Sequence, residues 1–256
     1  VGRALGRLTL GGLPLDAGRK RLVPDIDWVE VPAGEFRYGE ENRRIRLPAF
    51  HIARYAITNG QFRCFVDDPQ GYADPRWWEG LAERSERAAE AAWDYANHPR
   101  ETVSWFEAMA FCRWLSQTLG YEVRLPQEQE WEKAARGADG REFPWGEFAP
   151  GHANLAERWA HDGPHYLGLT SAAGVYPQGA SPCGALDMAG NVWEWCLNRY
   201  DKPGETDPGG DDRRVVRGGS WNYGREGARC AYRDLDHPGN RNNDLGFRVL
   251  CVSPIF

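Results

Sequence analysis

The chain has 256 residues, 41 % of them apolar, with twelve Trp and a formal net charge of −6. That content can bury a substantial core as one large domain, and the acidic balance leaves no general nucleic-acid footprint. No apolar run is long enough to span a bilayer, and no apolar signal-peptide core is visible near the N-terminus.

The compartment is therefore not legible, and because the chain does not begin with Met, residues could precede Val1 in the native protein. Only Lys20, Lys133 and Lys202 are lysines among 31 basic residues. This Arg bias fits a GC-rich genome and is compatible with thermophily. The six cysteines, Cys64, Cys112, Cys183, Cys196, Cys230 and Cys251, form no C-x-x-C pair, which argues against a zinc or redox motif. Cys64 and Cys112 fall on apolar helix faces and read as buried free thiols.

Residues 1–26 read as a linker or the end of an upstream region, and residues 27–256 as one domain. Trp28 to Phe36 alternates like a strand and continues through Gly39; a second strand is expected over Arg46 to Ile52. Thr58, with Gln61 three residues on, predicts a capping box for a first helix whose stripe is Phe62, Phe65 and Val66. Residues 68–98 look irregular, although Glu83 to Trp93 has helical composition. Ser104 and Glu107 predict a second capped helix, with Met109, Cys112, Leu115 and Leu119 on its apolar face and Gly120 as its stop. Val123 to Pro126 is extended, and a third helix runs from Glu128 to Arg136 up to Gly137. Phe143-Pro144-Trp145-Gly146 is a turn, and residues 147–185 are loop-rich. Leu186 to Trp195 brings Asp187 near Glu194 through a glycine turn. No internal repeat is visible.

The end of the chain carries the strongest functional signal. Two short strand-like segments, Val215-Val216-Arg217 and Leu245 to Val249, flank a polar run from Asn222 to Asp244. That run is too rich in Gly, Asn and Asp for a regular element. Long loops inside compact domains are usually functional or disordered, and alternation of Arg with aromatic residues favours an ordered binding loop.

The landmarks in order are Trp28 to Gly39, Ile57 to Val66, Val103 to Leu115, Arg124 to Gly137, Phe143 to Gly146, Gly184 to Cys196, Arg217 to Trp221 and Leu245 to Val249. Together they resemble the formylglycine-generating-enzyme (sulfatase-modifying factor) family. The resemblance implies an α+β C-type lectin fold, loop-rich and low in regular secondary structure. Copper-dependent members carry two cysteines soon after the Arg-Gly-Gly-Ser motif. Here Asn222 to Ala228 holds none, Cys230 matches a structural cysteine, and the residue matching that cysteine's partner is Ala135. Ergothioneine-type synthases of the superfamily bring a His-rich iron site from another domain. His161 and His165 have helical spacing, but Pro164 argues against a helix there. Neither copper nor iron is expected on this reading.

Arg229-Cys230-Ala231-Tyr232-Arg233 and Pro238 to Arg248 are also similar to the variable proteins of diversity-generating retroelements. That likeness implies a bacterial, non-enzymatic protein with a variable region over about 215–249, displaying diversified residues to a variable target, either a protein or a cell-surface ligand. The display positions are Asn222, Tyr223, Gly224, Gly227, Tyr232, Asp234, Leu235, Asp236 and Asp244. None is Lys, Glu, Gln, Met or Trp, as randomised Asn codons require; Glu226 fails that check and is left out. Tyr offers contact area at low entropy cost, and Gly, Asn and Asp adapt. Trp221, Arg229, Arg233, Arg241, Asn242, Asn243 and Phe247 would be scaffold. The arginines, with Arg217 and Arg248, would bond loop carbonyls and carboxylates, and the two asparagines would pin the backbone.

Asp187 and Glu194, with the carbonyls of Gly190 and Val192, match a structural Ca²⁺ site in the family, and hard oxygen donors around a glycine turn suit that ion. A second family site would use Asn154 and the Leu155 carbonyl. A monomer without nucleic-acid or membrane partners is expected. Two alternatives stay open: a copper- or iron-dependent oxygenase of the same superfamily acting on a peptide or thiol, and an invariant regulatory or scaffold module.

Overall fold

A computed structural model describes residues 22–159, 163–164 and 166–253. Residues 1–21 of the expected linker, together with His161 and His165, lie outside the described residues. Ile26 is buried in the core and Leu22 packs against it, so the packed chain starts slightly before the expected boundary.

The first sheet has strand order β1-β4-β12-β5, from Trp28–Val31, Phe50–Ala53, Leu250–Cys251 and Val123–Arg124. A hairpin of β2 (Gly34–Tyr38) and β3 (Arg43–Leu47) stands beside it. The single strand expected over Arg46 to Ile52 is thus two. Pro48, which lacks an N–H, separates a strand paired to β2 from one paired to β1. A short pair, β6 (Arg158–Trp159) and β7 (Gly163–Pro164), lies in the loop-rich middle. The second sheet has the order β10-β9-β8-β11, from Arg233–Asp236, Arg214–Arg217, Trp193–Arg199 and Leu245–Gly246.

Three helices form where capping chemistry places them. Thr58 and Gln61 cap α1 (Asn59–Asp67) reciprocally. Ser104 and Glu107 do the same for α2 (Trp105–Leu119), which Gly120 ends at φ +79°. The third, α3, spans Glu128–Arg136. Glu83 to Trp93 forms no helix, because side chains take its carbonyls. Arg100 Nη2 donates to Ala89 O, and Asn59 Nδ2 donates to Trp93 O and Tyr95 O.

The larger core packs α1 and α2 against the C-terminal segment through Phe62, Phe65, Phe111, Trp114 and Phe247. Phe247 is fully buried, edge-on to Phe62 and Phe111 at 6.2 and 5.4 Å. A second core joins α3 to the second sheet through Trp131, Ala135, Cys196, Val215 and Cys230. The cysteines among the described residues are free, and Cys230 faces a core containing Ala135. No helix of the described residues is long and apolar enough to cross a membrane.

Candidate functional site

The second sheet positions the loop. After β9 the chain turns through Gly218 (φ +96°) and Gly219 (φ +70°), a left-handed pair that favours glycine. A Cβ on Gly218 would lie 3.1 Å from the Trp131 ring, and one on Gly219 3.0 Å from the Gly227 backbone. The polar run is more regular than its composition implies. Arg225–Ala228 forms a 3-10 turn, and β10 pairs antiparallel with β9, placing Arg233 opposite Arg217 and Asp236 opposite Arg214. Pairing with a neighbouring strand overrides the low strand propensity of Asp and Arg.

A buried ionic frame lies beneath. Arg217 and Arg248 are fully buried. Arg217 donates to the carbonyls of Ala231 and Tyr232 and pairs with Glu132, which also pairs with Arg136 at 2.8 Å. Arg233 grips Glu128 with two bonds of 2.8 and 2.9 Å, and Arg241 spans Glu107 and Glu83 at 2.8 Å each. Of the expected scaffold residues, Trp221 and Phe247 are buried, and Arg233 and Arg241 bond buried carboxylates. Arg229 bonds the exposed carboxylates of Glu40 and Glu226 and lies over the Tyr232 ring. The carbonyl clamp is Arg217. Asn242 bonds the Asp236 carboxylate through its side chain, and Asn243 contributes its carbonyl to Trp221 Nε1.

Above this frame lies an aromatic face. Tyr223, 45 % exposed, meets Trp193 edge-to-face at 5.2 Å, and Tyr232 lies 6.1 Å from the same ring. Trp221 meets Trp93 edge-to-face at 5.2 Å and stacks on Tyr166 at 6.3 Å. Asp244 accepts from Ser220 Oγ at 2.7 Å, and burial holds its carboxyl above the usual Asp range. Burial, then Asp244 and Asp234, push the Tyr223 hydroxyl up, which places two carboxylates near this end of the face.

The expected display set divides. Asn222, Tyr223 and Gly224 are exposed; Tyr232, Asp234 and Leu235 are half-buried. Gly227 and Asp244 are buried, contrary to a uniformly outward set. Asp236 is a loop organiser, its oxygens accepting from His237 N, Asn240 Nδ2 and Asn242 Nδ2. Trp93, Tyr166 and Trp193 escaped residue-level reading. Only Trp193 carried a signal, its place in the Gly190 to Trp195 motif.

The calcium expectation meets a competing cation. Glu194 Oε2 accepts from Arg248 Nε at 2.5 Å and Trp131 Nε1 at 2.7 Å, and Oε1 accepts from Arg248 Nη2 at 2.6 Å. Its charge is thus already compensated. Asp187 accepts Gly174 N–H at 2.7 Å, and burial pushes its carboxyl up to about 6. Gly190 O accepts from Val192 N. These donors do not fit a four-oxygen calcium cage, since a guanidinium spans the one strong carboxylate ligand. At Asn154, Oδ1 and the nearby Ser171 Oγ are buried without protein partners, but no carboxylate joins them in a metal-ligand group among the described residues. The thiols fit a copper site no better: burial pushes those of Cys112, Cys196 and Cys230 well above their ordinary value.

A sulfatase-modifying factor enzyme 1-like domain matches residues 17–252. The hercynine oxygenase of Mycolicibacterium thermoresistibile is 34 % identical over 95 % of this chain and 60 % of its own length. The formylglycine-generating enzyme of Streptomyces coelicolor is 31 % identical over 86 % of this chain and 87 % of its own length. Among solved structures, Treponema denticola variable protein 1 superposes with a TM-score of 0.67 at 21 % identity, covering 94 % of this chain and all of its own. That last likeness shows the shared lectin-like fold alone. The chain spans between 53 % and 64 % of the length of the hercynine oxygenases it matches.

These relatives overturn the expectation of a non-enzymatic display protein. The missing cysteine pair speaks against one chemistry within the family, the copper-thiolate kind, and not against enzymology as such. The chain belongs to the sulfatase-modifying factor enzyme 1-like family.

Proposed function

We propose that this family member holds a small zwitterionic substrate with a quaternary ammonium centre, hercynine in the first instance, for an oxygen-dependent enzyme of the hercynine oxygenase kind. The aromatic face beside the Arg217 to Trp221 turn carries this reading, because it joins Trp193, Tyr223 and Tyr232 to the carboxylates of Asp234 and Asp244. Hercynine is histidine with three methyl groups on its amino nitrogen. That centre is a permanent cation with no N–H to donate, so aromatic faces and a negative field suit it better than discrete acceptors do. Asn222 and Gly224 form the adaptable rim.

Titration calorimetry with hercynine and with histidine tests the proposal. Hercynine should bind at least about tenfold more tightly than histidine, and Tyr223→Ala should remove most of that preference, as loss of a cation–π contact does. Equal affinity for both, or an unchanged preference in Tyr223→Ala, would contradict it.

A further inference from the structure

Five arginines among the described residues are buried: Arg100, Arg136, Arg214, Arg217 and Arg248. Three of them face carboxylates: Arg136, Arg217 and Arg248. Arg214 has none, but both of its Nη atoms donate to carbonyls and its guanidinium packs over Trp105 at 3.9 Å. Arg100 is different. It is 6 % exposed, and only Nη2 is used, on Ala89 O and Thr102 O. Its Nε is buried and has no partner.

The neighbouring acids are already committed. Glu107 accepts from Tyr72, Ser104 N and Arg241, and Glu101 accepts from Trp93 N and Thr102. A buried guanidinium with an unmet N–H is costly unless something completes it. Arg100 lines a cavity of 320 Å³ between α1 and the segment carrying Ala88 and Ala91. The Phe62 ring lies 4.8 Å from the guanidinium, and Val66 adds apolar wall. Asn59, on the same lining, has a buried Oδ1 that no group donates to. The vacancies are complementary: one wall needs an acceptor with negative charge, the other a donor. Glu90 and Asp94 also line the cavity, which disfavours a doubly charged anion, and Arg63 already pairs with Asp94.

We propose that this cavity binds a small monocarboxylate bearing an O–H or N–H donor, with Arg100 taking the carboxylate and Asn59 Oδ1 accepting from the donor. The planar guanidinium fork matches a carboxylate edge, and the Ala and Val methyls accept a short aliphatic body.

The test is calorimetric titration of the protein with lactate, propionate and sulfate at fixed ionic strength. Lactate should bind, propionate more weakly for want of the hydroxyl, and sulfate not measurably. Arg100→Gln should weaken lactate binding at least about tenfold, as loss of a charge-assisted pair does, whereas Arg213→Gln, at an exposed ion pair with Asp201, should leave it unchanged. Ala88→Leu, which fills the cavity without touching the charge, should abolish binding while the melting transition persists, so the proposal stays testable if Arg100→Gln fails to fold. Absence of lactate binding, sulfate binding as tightly as lactate, or unchanged lactate affinity in folded Arg100→Gln or Ala88→Leu would overturn it.

Discussion

Arg217 and Arg229 belong to the same polar excursion and do opposite work. Arg217 has no exposed surface, bonds two loop carbonyls and is neutralised by Glu132. Arg229 is half-buried, its side chain 22 % exposed, and its partners Glu40 and Glu226 are solvent-exposed carboxylates. One arginine holds the backbone that the aromatic face rests on; the other decorates its edge. Residue type thus says little about role in this loop; the partner says more, a buried carboxylate for Arg217, Arg233 and Arg241 and exposed ones for Arg229. The first consequence is a steep gradient of mutational cost from the frame to the rim.

At the top in cost, Arg248→Met should destabilise by about 3–5 kcal/mol because it strands the buried Glu194 carboxylate, and Arg217→Met should approach that because it leaves two loop carbonyls unpaired and Glu132 with Arg136 alone. Urea unfolding monitored by Trp fluorescence would read this. A loss below about 1 kcal/mol, as at exposed ion pairs, would erase the distinction between frame and rim. Phe247→Ala should cost a similar ~3–5 kcal/mol through loss of a buried aromatic, whereas Arg229→Ala should stay within about 1 kcal/mol.

Asp187 tests the frame by pH. Its folded carboxyl titrates at about 6, above the ordinary Asp value of the unfolded chain. The folded state therefore binds that proton more tightly, and this contribution to stability is lost as pH rises from about 4 through about 6. Asp187→Asn keeps an acceptor for Gly174 N–H and suits the left-handed φ of +56°. It should flatten that slope and stabilise the protein at pH 7 by at most about 3 kcal/mol. A calcium ion would reverse the sign: Asp187→Asn would then destabilise, and EDTA would lower the melting temperature. With Arg248 already spanning Glu194, EDTA is expected to leave melting unchanged. At the rim, exchanging Asn222, Tyr223 or Gly224 for Ser should cost at most about 0.5 kcal/mol each, with the Tyr223 change alone abolishing substrate preference.

Much of this was legible before the structure. Capping boxes at Thr58 and Ser104 are local chemistry and form as read. What was hidden depends on distant residues. Asp236 and Asp234 look like loop residues, and they become a strand only because β9 is there to pair with them. Arg248 and Glu194 are far apart in the chain, so their compensation was invisible, and Asp187 with Glu194 looked like a cation cage. Trp93 and Tyr166 reach the aromatic face from segments with no periodicity to mark them. Function was misread for a different reason: the loop pattern is shared across the fold, and one absent cysteine pair was made to stand for all enzymology.

The central claim is that the aromatic face serves an oxygen-dependent reaction rather than display. Oxygen consumption by the intact gene product, reconstituted with ferrous iron and supplied with hercynine and small thiols, tests it most directly. The account predicts uptake that depends on hercynine and falls at least about tenfold in Tyr223→Ala, the size expected when about 1.4 kcal/mol of substrate-positioning energy is lost. Uptake indifferent to hercynine, or identical in Tyr223→Ala, would contradict it.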